Sequence, residues 1–116
     1  MESLELANQI VEVIVDIQGE DVLILDLTDV TTFTDYFVIC TARSRRQLDA
    51  LQAAIREAMK HTGETLLAKK VEGDPDTGWI LVDFNSVIVH LFSEEMRAYY
   101  QLEELWRNAR TVAHIQ

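Results

Sequence analysis

The sequence predicts an α/β protein: a mixed sheet of about five strands with flanking helices, in the order α-β-β-α-β-β-β-α. Three observations lead to this fold class. Apolar residues recur at helical spacing in three segments, and short β-rich runs lie between them. A helical segment separates the second and third strands, which leaves room for a parallel crossover. Only a two-residue turn separates the last two strands, so these must be antiparallel. The helices then pack on the sheet.

The first third of the chain supplies one helix and two strands. Residues 2–18 repeat apolar side chains at the period of a helix, which ends near Gly19. The segment 21–27, DVLILDL, is a short run rich in β-branched and aliphatic residues. The segment 35–42, DYFVICTA, is apolar enough to predict a strand that is largely buried.

The second helix has a clear start signal. Ser44 is followed by Gln47 three residues later, the spacing of a capping box. Gly63 occupies the C′ position, where a helix commonly ends. Residues 64–71, ETLLAKKV, predict the third strand, and the turn-rich loop EGDPDTG follows.

The segment 78–92, GWILVDFNSVIVHLF, predicts a hairpin that turns at Asn85-Ser86. Directly opposed residues of a hairpin share a face. The core face is wholly apolar and comprises Ile80, Val82, Phe84, Val87, Val89 and Leu91. The aromatic face comprises Trp79, Leu81, Asp83, Ile88, His90 and Phe92. Its composition is typical of an interface hot spot. If a helix covered this face, however, it would be ordinary core. The alternation of residues leaves both interpretations open.

The last helix is predicted to begin at Ser93, with Glu94 and Glu95 in its first turn, where the helix dipole favours acids. Arg97 and Tyr100 fall off its apolar stripe and are expected to be exposed. That stripe comprises Met96, Tyr99, Leu102, Leu105, Trp106 and Ala109. We expect residues 110–116 to form a frayed tail, and residues 1–116 to form a single domain.

Composition limits the class of partner. The chain has 20 acidic and 10 basic residues, a formal charge of −10, which opposes binding to nucleic acid. Such a surface favours a basic protein partner, although acidic charge also serves solubility. No segment resembles a signal peptide or approaches the roughly 20 apolar residues of a membrane span, so we expect a cytoplasmic protein without membrane contact. Cys40 is the only cysteine, which rules out an internal disulfide.

The sequence carries no recognisable catalytic or metal-binding motif. G-x-S-x-G, P-loop and G-x-G-x-x-G patterns are all missing. The predicted sheet resembles nucleotidyltransferase-like folds, whose chemistry needs a Gly-Ser loop and paired carboxylates. Here the loop is TARSRR, and Asp26 and Asp35 are single carboxylates. We therefore predict a protein that is not an enzyme and needs no cofactor or metal. A degenerate nucleotidyltransferase-like protein that binds nucleotide is the alternative.

Several segments occur in the order and spacing typical of one family. They are TFTDYFVICTARSRRQLDAL, EG at 72–73, GWILVDFNSVIVHLF and EEMRAYYQLEELW. From about residue 3 to 107 the chain resembles the ribosomal silencing factor family, also called Iojap-like. This resemblance implies a translation repressor that acts when nutrients are scarce. It implies binding to the large ribosomal subunit through its protein numbered fourteen, which sterically blocks association with the small subunit. It also implies a nucleotidyltransferase-like fold without the active site, and frequent homodimers.

The resemblance and the face argument together select the expected partner-binding residues. They are Glu72, Gly73, Trp79, Asp83, His90, Phe92, Arg97, Tyr99 and Tyr100. The chain departs from the family pattern at Ala42, where Gly is usual, and at Asn85-Ser86, where Gly-Asp is usual, so one turn carboxylate is missing. Whether the aromatic face meets the ribosome or a second copy of the chain stays open at this point.

Overall fold

A computed structural model describes residues 2–62 and 67–116 of the chain. Within these residues, the helices are α1 (Ser3–Asp16), α2 (Arg45–Lys60), α3 (Glu94–Tyr100) and α4 (Leu102–Leu105), and the strands are β1 (Glu20–Asp26), β2 (Tyr36–Ala42), β3 (Lys70–Glu72), β4 (Trp79–Asp83), β5 (Val87–Ser93) and β6 (Arg110–Ile115). The strands form one sheet in the order β3-β4-β5-β2-β1-β6. Strands β2 and β5 are parallel, and the other neighbours are antiparallel. The predicted mixed α/β fold is confirmed, with six strands rather than about five.

The hairpin has the predicted register. Trp79 lies opposite Phe92 and Leu81 lies opposite His90 in the β4–β5 ladder. Asn85 takes the left-handed conformation that the turn requires, with φ of 76°. All six residues of the core face are buried: Ile80, Val82, Phe84, Val87, Val89 and Leu91. They pack with the buried residues of α1 and α2 in one apolar cluster, so these two helices close the core face completely.

The start of α2 combines a cap with a link to α1. The Ser44 hydroxyl accepts a hydrogen bond from the Gln47 N–H at 3.1 Å. The Gln47 side-chain oxygen accepts from the Arg43 N–H, one residue before the position that a standard capping box uses. Its amide nitrogen donates to the carbonyl oxygens of Ile17 and Gln18, which follow α1. This buried side chain therefore ties the two helices of the core face together. The predicted helix end at Gly63 lies outside the described residues.

Two predictions about the sheet edges are corrected. The third strand was expected over 64–71, of which 64–66 lie outside the described residues, and the observed strand is only Lys70–Glu72. Residues 110–116 were expected to fray, but Arg110–Ile115 pairs with β1 as β6. The free backbone edge of β1 offers hydrogen-bond partners to the tail, and Arg110 adds an ion pair to Asp26 at 2.8 Å. Edge pairing of this kind depends on backbone groups, which hydrophobic periodicity does not report.

The predicted single last helix is wrong, because the chain breaks at Gln101. Gln101 has φ of 47°, in the left-handed region, and separates α3 from α4. Tyr99 of α3, before the break, and Leu105 of α4, after it, are 75% and 76% exposed. The expected apolar stripe is therefore wrong at these two positions. Leu102, which follows the break, is buried instead.

Candidate protein-binding surface

The aromatic face of the hairpin is covered only in part. Trp106, just after α4, lies 5.6 Å from Phe37 of β2 and 5.8 Å from Phe33, measured between ring centroids. These rings, with Leu102, close the half of this sheet face that β1 and β2 form. On the hairpin half, Leu81, Asp83 and Ile88 remain half-buried. The sequence left open whether this face is ordinary core or a binding surface. The half formed by β1 and β2 is core, and the hairpin half remains partly accessible.

Trp79 is the centre of an aromatic cluster at the hairpin. Its ring stacks on Phe92 with 5.0 Å between centroids and contacts Tyr100 of α3 at 4.6 Å. Tyr99 packs edge-to-face on Tyr100 at 5.0 Å. Exposure rises outward through the cluster, from Phe92, which is fully buried, through half-buried Trp79, to Tyr100 and Tyr99, which are exposed. The cluster therefore combines a rigid base with an accessible rim.

His90 supports Trp79 from below and does not form part of the exposed surface. The Trp79 Nε1–H donates to His90 Nδ1 at 3.2 Å. The bond needs an unprotonated Nδ1, so the ring is neutral with its proton on Nε2. Burial lowers the pKa of His90 to about 3, which keeps it neutral at physiological pH. Its Nε2 has no hydrogen-bond partner among the described residues. His90 thus orients the indole of Trp79.

The loop before β4 fixes the backbone of Trp79. Gly73 and Gly78 both have positive φ, and a Cβ at Gly73 would lie 2.1 Å from the Trp79 carbonyl oxygen. Only glycine fits at Gly73 without moving this backbone. The Thr77 hydroxyl donates to the Asp74 carbonyl at 2.7 Å and accepts from the Trp79 N–H at 3.3 Å. The loop is therefore a structured support for the Trp79 side chain.

The aromatic cluster and the loop enclose a groove of about 260 Å³. Four of the predicted partner-binding residues line this partner groove: Glu72, Gly73, Trp79 and Tyr100. Thr77, Leu81 and Met96 also line it and were not predicted. Alternation along β4 places Leu81 on the aromatic face, so the sequence held a signal for it. Thr77 reaches the groove through the path of the loop, and Met96 reaches it through the angle of α3. The sequence carried no signal for either feature.

Asp83 and Arg97 lie away from the partner groove. Asp83 is at the turn end of β4, where its Oδ1 accepts from the Asn85 N–H at 2.6 Å. Arg97 is buried, contrary to the expectation that it is exposed. It donates to the Thr41 hydroxyl at 2.9 Å and to Glu103 at 3.1 Å. It also donates to the carbonyl oxygen of Asp21. Arg97 thus clamps α3 to β1 and β2.

A side-chain network extends from this clamp to the last strand. The Asp21 carboxylate contacts His114 of β6 and lies 3.7 Å from Arg97. The hydrogen bond from His114 lowers the pKa of Asp21, and the positive charges of Arg97 and His114 act in the same direction. The Arg97 network therefore links α3 and β6, whose extents the sequence predicted wrongly, to β1, which it predicted within one residue.

Two common catalytic groups, a bound metal ion and a reactive cysteine, find no support among the described residues. No group of three or more His, Cys, Asp or Glu side chains in 2–62 and 67–116 is placed to hold a metal ion. Burial raises the pKa of Cys40 to about 12, so its thiol stays protonated and is a poor nucleophile at neutral pH. No helix in the same residues has both the length and the apolar run needed to cross a bilayer.

The fold and this surface have the features of a small protein-binding α/β domain. Residues 1–116 match the family model described as "Ribosomal silencing factor during starvation". The chain belongs to the ribosomal silencing factor family, and the resemblance inferred from its motifs is confirmed.

Relatives and a solved structure agree with this assignment. A Bacillus subtilis protein named Ribosomal silencing factor RsfS is 38% identical over 94 residues, which cover 81% of this chain and 78% of that one. The chloroplastic protein Iojap of Zea mays is 33% identical over 112 residues, covering 96% of this chain and 47% of the maize protein. A crystal structure of a Chromobacterium violaceum protein superposes with a TM-score of 0.87 at 29% identity, covering 100% of this chain and 94% of that one.

Proposed function

We propose that this chain silences ribosomes by binding the large subunit through its protein numbered fourteen. The bound chain sterically blocks association with the small subunit and so lowers translation when nutrients are scarce. It acts in the cytoplasm as a regulator, without catalysis, cofactor or membrane. The observation that carries this proposal is the half-open aromatic face with its partner groove, on a chain that belongs to the ribosomal silencing factor family.

Charge and size support a steric mechanism. The formal charge of −10 favours encounter with a basic ribosomal protein and disfavours contact with bare RNA. A standard interface takes about 800 Å² per partner, a small share of the 6679 Å² accessible surface of this chain. Most of the body, which measures 33 × 31 × 24 Å, would therefore project from the binding site. Such a body needs no chemistry to keep two large surfaces apart.

The predicted residues divide into two roles in this proposal. The accessible residues Glu72, Trp79, Asp83, Tyr99 and Tyr100 contact the ribosomal protein, together with the backbone at Gly73. The buried residues His90, Phe92 and Arg97 hold these groups in place. Aromatic anchors on a rigid base are the usual centre of a protein interface, because they lose little side-chain entropy on binding.

Cosedimentation tests the proposal. The purified protein is mixed separately with isolated large subunits, isolated small subunits and preformed whole ribosomes, and each mixture is pelleted through a cushion. We expect selective pelleting with large subunits, and those subunits should then fail to join small subunits. Pelleting with small subunits, or with none of the three, would contradict the proposed function.

We also propose that the chain forms homodimers, and experiment can decide whether the aromatic face serves ribosome binding or self-association. Sedimentation equilibrium gives the oligomeric state, and cosedimentation gives ribosome binding. If Trp79→Ala produced monomers that still bound large subunits with unchanged affinity, the aromatic face would belong to self-association instead. Loss of subunit binding by folded Trp79→Ala protein would support the ribosomal role.

A further inference from the structure

We propose that the partner groove takes one arginine side chain of the ribosomal partner, which lies against the rings of Trp79 and Tyr100 and pairs with the Glu72 carboxylate. This inference rests on the proposed function and adds the chemistry of the contact. It concerns the groove alone and commits to a single guest.

The size of the groove favours a side chain over a small molecule. Its volume of about 260 Å³ lies below the roughly 300–1,000 Å³ of small-molecule pockets. Leu81, Met96 and the two rings provide apolar walls for a hydrocarbon stem. A long side chain with an apolar stem and a polar tip fits this arrangement.

The charge of the groove selects a cationic tip. Glu72 is the only charged side chain among the described residues that line it. Trp79 and Tyr100 present π faces, which attract cations. The hydroxyl of Thr77 already bonds within its own loop. An aromatic wall beside one carboxylate is thus complementary to a cation, and it would reject an acidic guest.

The ion pair that Glu72 makes within the chain is weak, so its carboxylate is available to a partner. It pairs with Lys70 at 2.9 Å, and both side chains are more than half exposed. Such exposed pairs add little to stability. Lys70 lies opposite Asp83 in the β3–β4 ladder, and the carboxylates of Glu72 and Asp83 both raise its pKa. Lys70 therefore keeps a second carboxylate nearby when Glu72 turns to a guest.

Arginine fits this combination better than lysine. A planar guanidinium can stack on an aromatic ring and still present two N–H groups to one carboxylate. A lysine ammonium is a compact and strongly hydrated charge, which gains less from a ring and a single rim carboxylate.

The test measures the affinity of labelled protein for isolated large subunits at several salt concentrations. Glu72→Gln removes the charge and keeps the shape. Glu12→Gln is the matched control, because Glu12 is exposed on α1, which packs on the other side of the sheet, and the variant has the same net charge. We expect Glu72→Gln to weaken binding about tenfold and to flatten the salt dependence. The control should stay within about twofold.

A double-mutant cycle with Tyr100→Leu tests whether both groups hold the same guest. We expect the double variant to lose less affinity than the product of the two single losses, because each single change already loosens one shared side chain. Circular dichroism of every variant establishes that it is folded. Independent, multiplicative losses would overturn the shared guest.

The outcomes separate this inference from the proposed function. If the wild-type protein binds and Glu72→Gln matches Glu12→Gln, the arginine guest is overturned and the ribosomal function stands. If only Tyr100→Leu weakens binding, the guest is apolar and the inference is again overturned. A changed dimerisation constant with unchanged subunit affinity would identify a second copy as the guest. If the wild-type protein binds no large subunits, both proposals fail.

Discussion

The core face and the aromatic face of the hairpin are made by alternate residues of the same two strands, yet helices cover the two faces to different extents. On the core face, six apolar side chains disappear under α1 and α2. On the aromatic face, the segment from α3 to Trp106 covers only one half, and Trp79 and Leu81 stay half-buried. The core face thus gives stability, whereas the aromatic face gives an accessible surface that is still rigid.

The two faces also differ in how their helices are held. Apolar contacts with the core face hold α1 and α2, and such contacts are non-directional. The short helix α3 depends instead on directional bonds from Arg97 to Asp21, Thr41 and Glu103. Directional bonds set the angle of α3, and this angle brings Tyr100 against Trp79. Polar anchoring therefore positions the exposed aromatic side chains, whereas on the core face the hydrogen bonds of Gln47 add to helices that apolar burial already holds.

The largest effect on stability should come from the core face. Leu51 of α2 is fully buried, so Leu51→Ala should lower the free energy of unfolding by about 2–5 kcal/mol through lost burial and a cavity. Urea denaturation measures this change. Leu105→Ala is the control, because Leu105 is 76% exposed and its loss should change stability by less than about 0.5 kcal/mol. Equal losses in the two variants would show that burial under α2 is not what stabilises the domain.

The largest effect on binding should come from the aromatic face. Trp79→Ala should weaken binding to large subunits by about 30-fold or more, the loss typical of a hot-spot residue, while the domain stays folded. Filter binding gives the affinity, and thermal unfolding tests the fold. Phe33→Ala removes an exposed ring from the other half of the sheet face and should leave affinity unchanged. A similar loss from Phe33→Ala would extend the surface beyond the hairpin.

The polar anchoring of α3 can be tested at Arg97. Arg97→Met keeps much of the side-chain volume but removes three hydrogen bonds, leaves Glu103 without its cation and leaves Asp21 with His114 alone. We expect a loss of about 1–3 kcal/mol in stability. Binding should weaken as well, because Tyr100 would no longer be held over Trp79. Hydrogen exchange of α3 amides provides the local measurement, and unchanged protection there would show that Arg97 does not hold this helix.

The smallest effect is a pH dependence carried by His90. Its pKa is about 3 in the folded protein and about 6.5 in the unfolded chain, so the unfolded chain binds more protons between these limits. Stability from this group is therefore complete above about pH 6.5 and is lost as the pH falls. The loss should be about 1.5 kcal/mol between pH 6.5 and 5. Urea unfolding of the wild type and of His90→Phe at both pH values isolates the contribution of His90. The same change in the free energy of unfolding with pH in both proteins would refute it.

The sequence was most informative where one strong periodic signal acted alone. The β4–β5 register followed from alternation and from the tolerance of Asn85 for positive φ, and every residue of the core face was assigned correctly. Four of the nine expected partner-binding residues line the partner groove. The prediction failed for the last helix, because Gln101 carries no sequence mark of a break. It failed again at β6, whose residues gain backbone pairing without much burial.

The sequence by itself determined the α/β class, the two faces of the hairpin, the acidic charge and the family. These features depend on side-chain alternation, composition and local motifs, all of which are written along the chain. Only the tertiary structure decided that Arg97 is an internal clamp, that His90 lies beneath Trp79, and that the aromatic face is half covered. Those outcomes depend on contacts between residues far apart in sequence, such as Arg97 with Asp21, and on the angle at which a short helix meets the sheet. Local periodicity holds no information about either quantity.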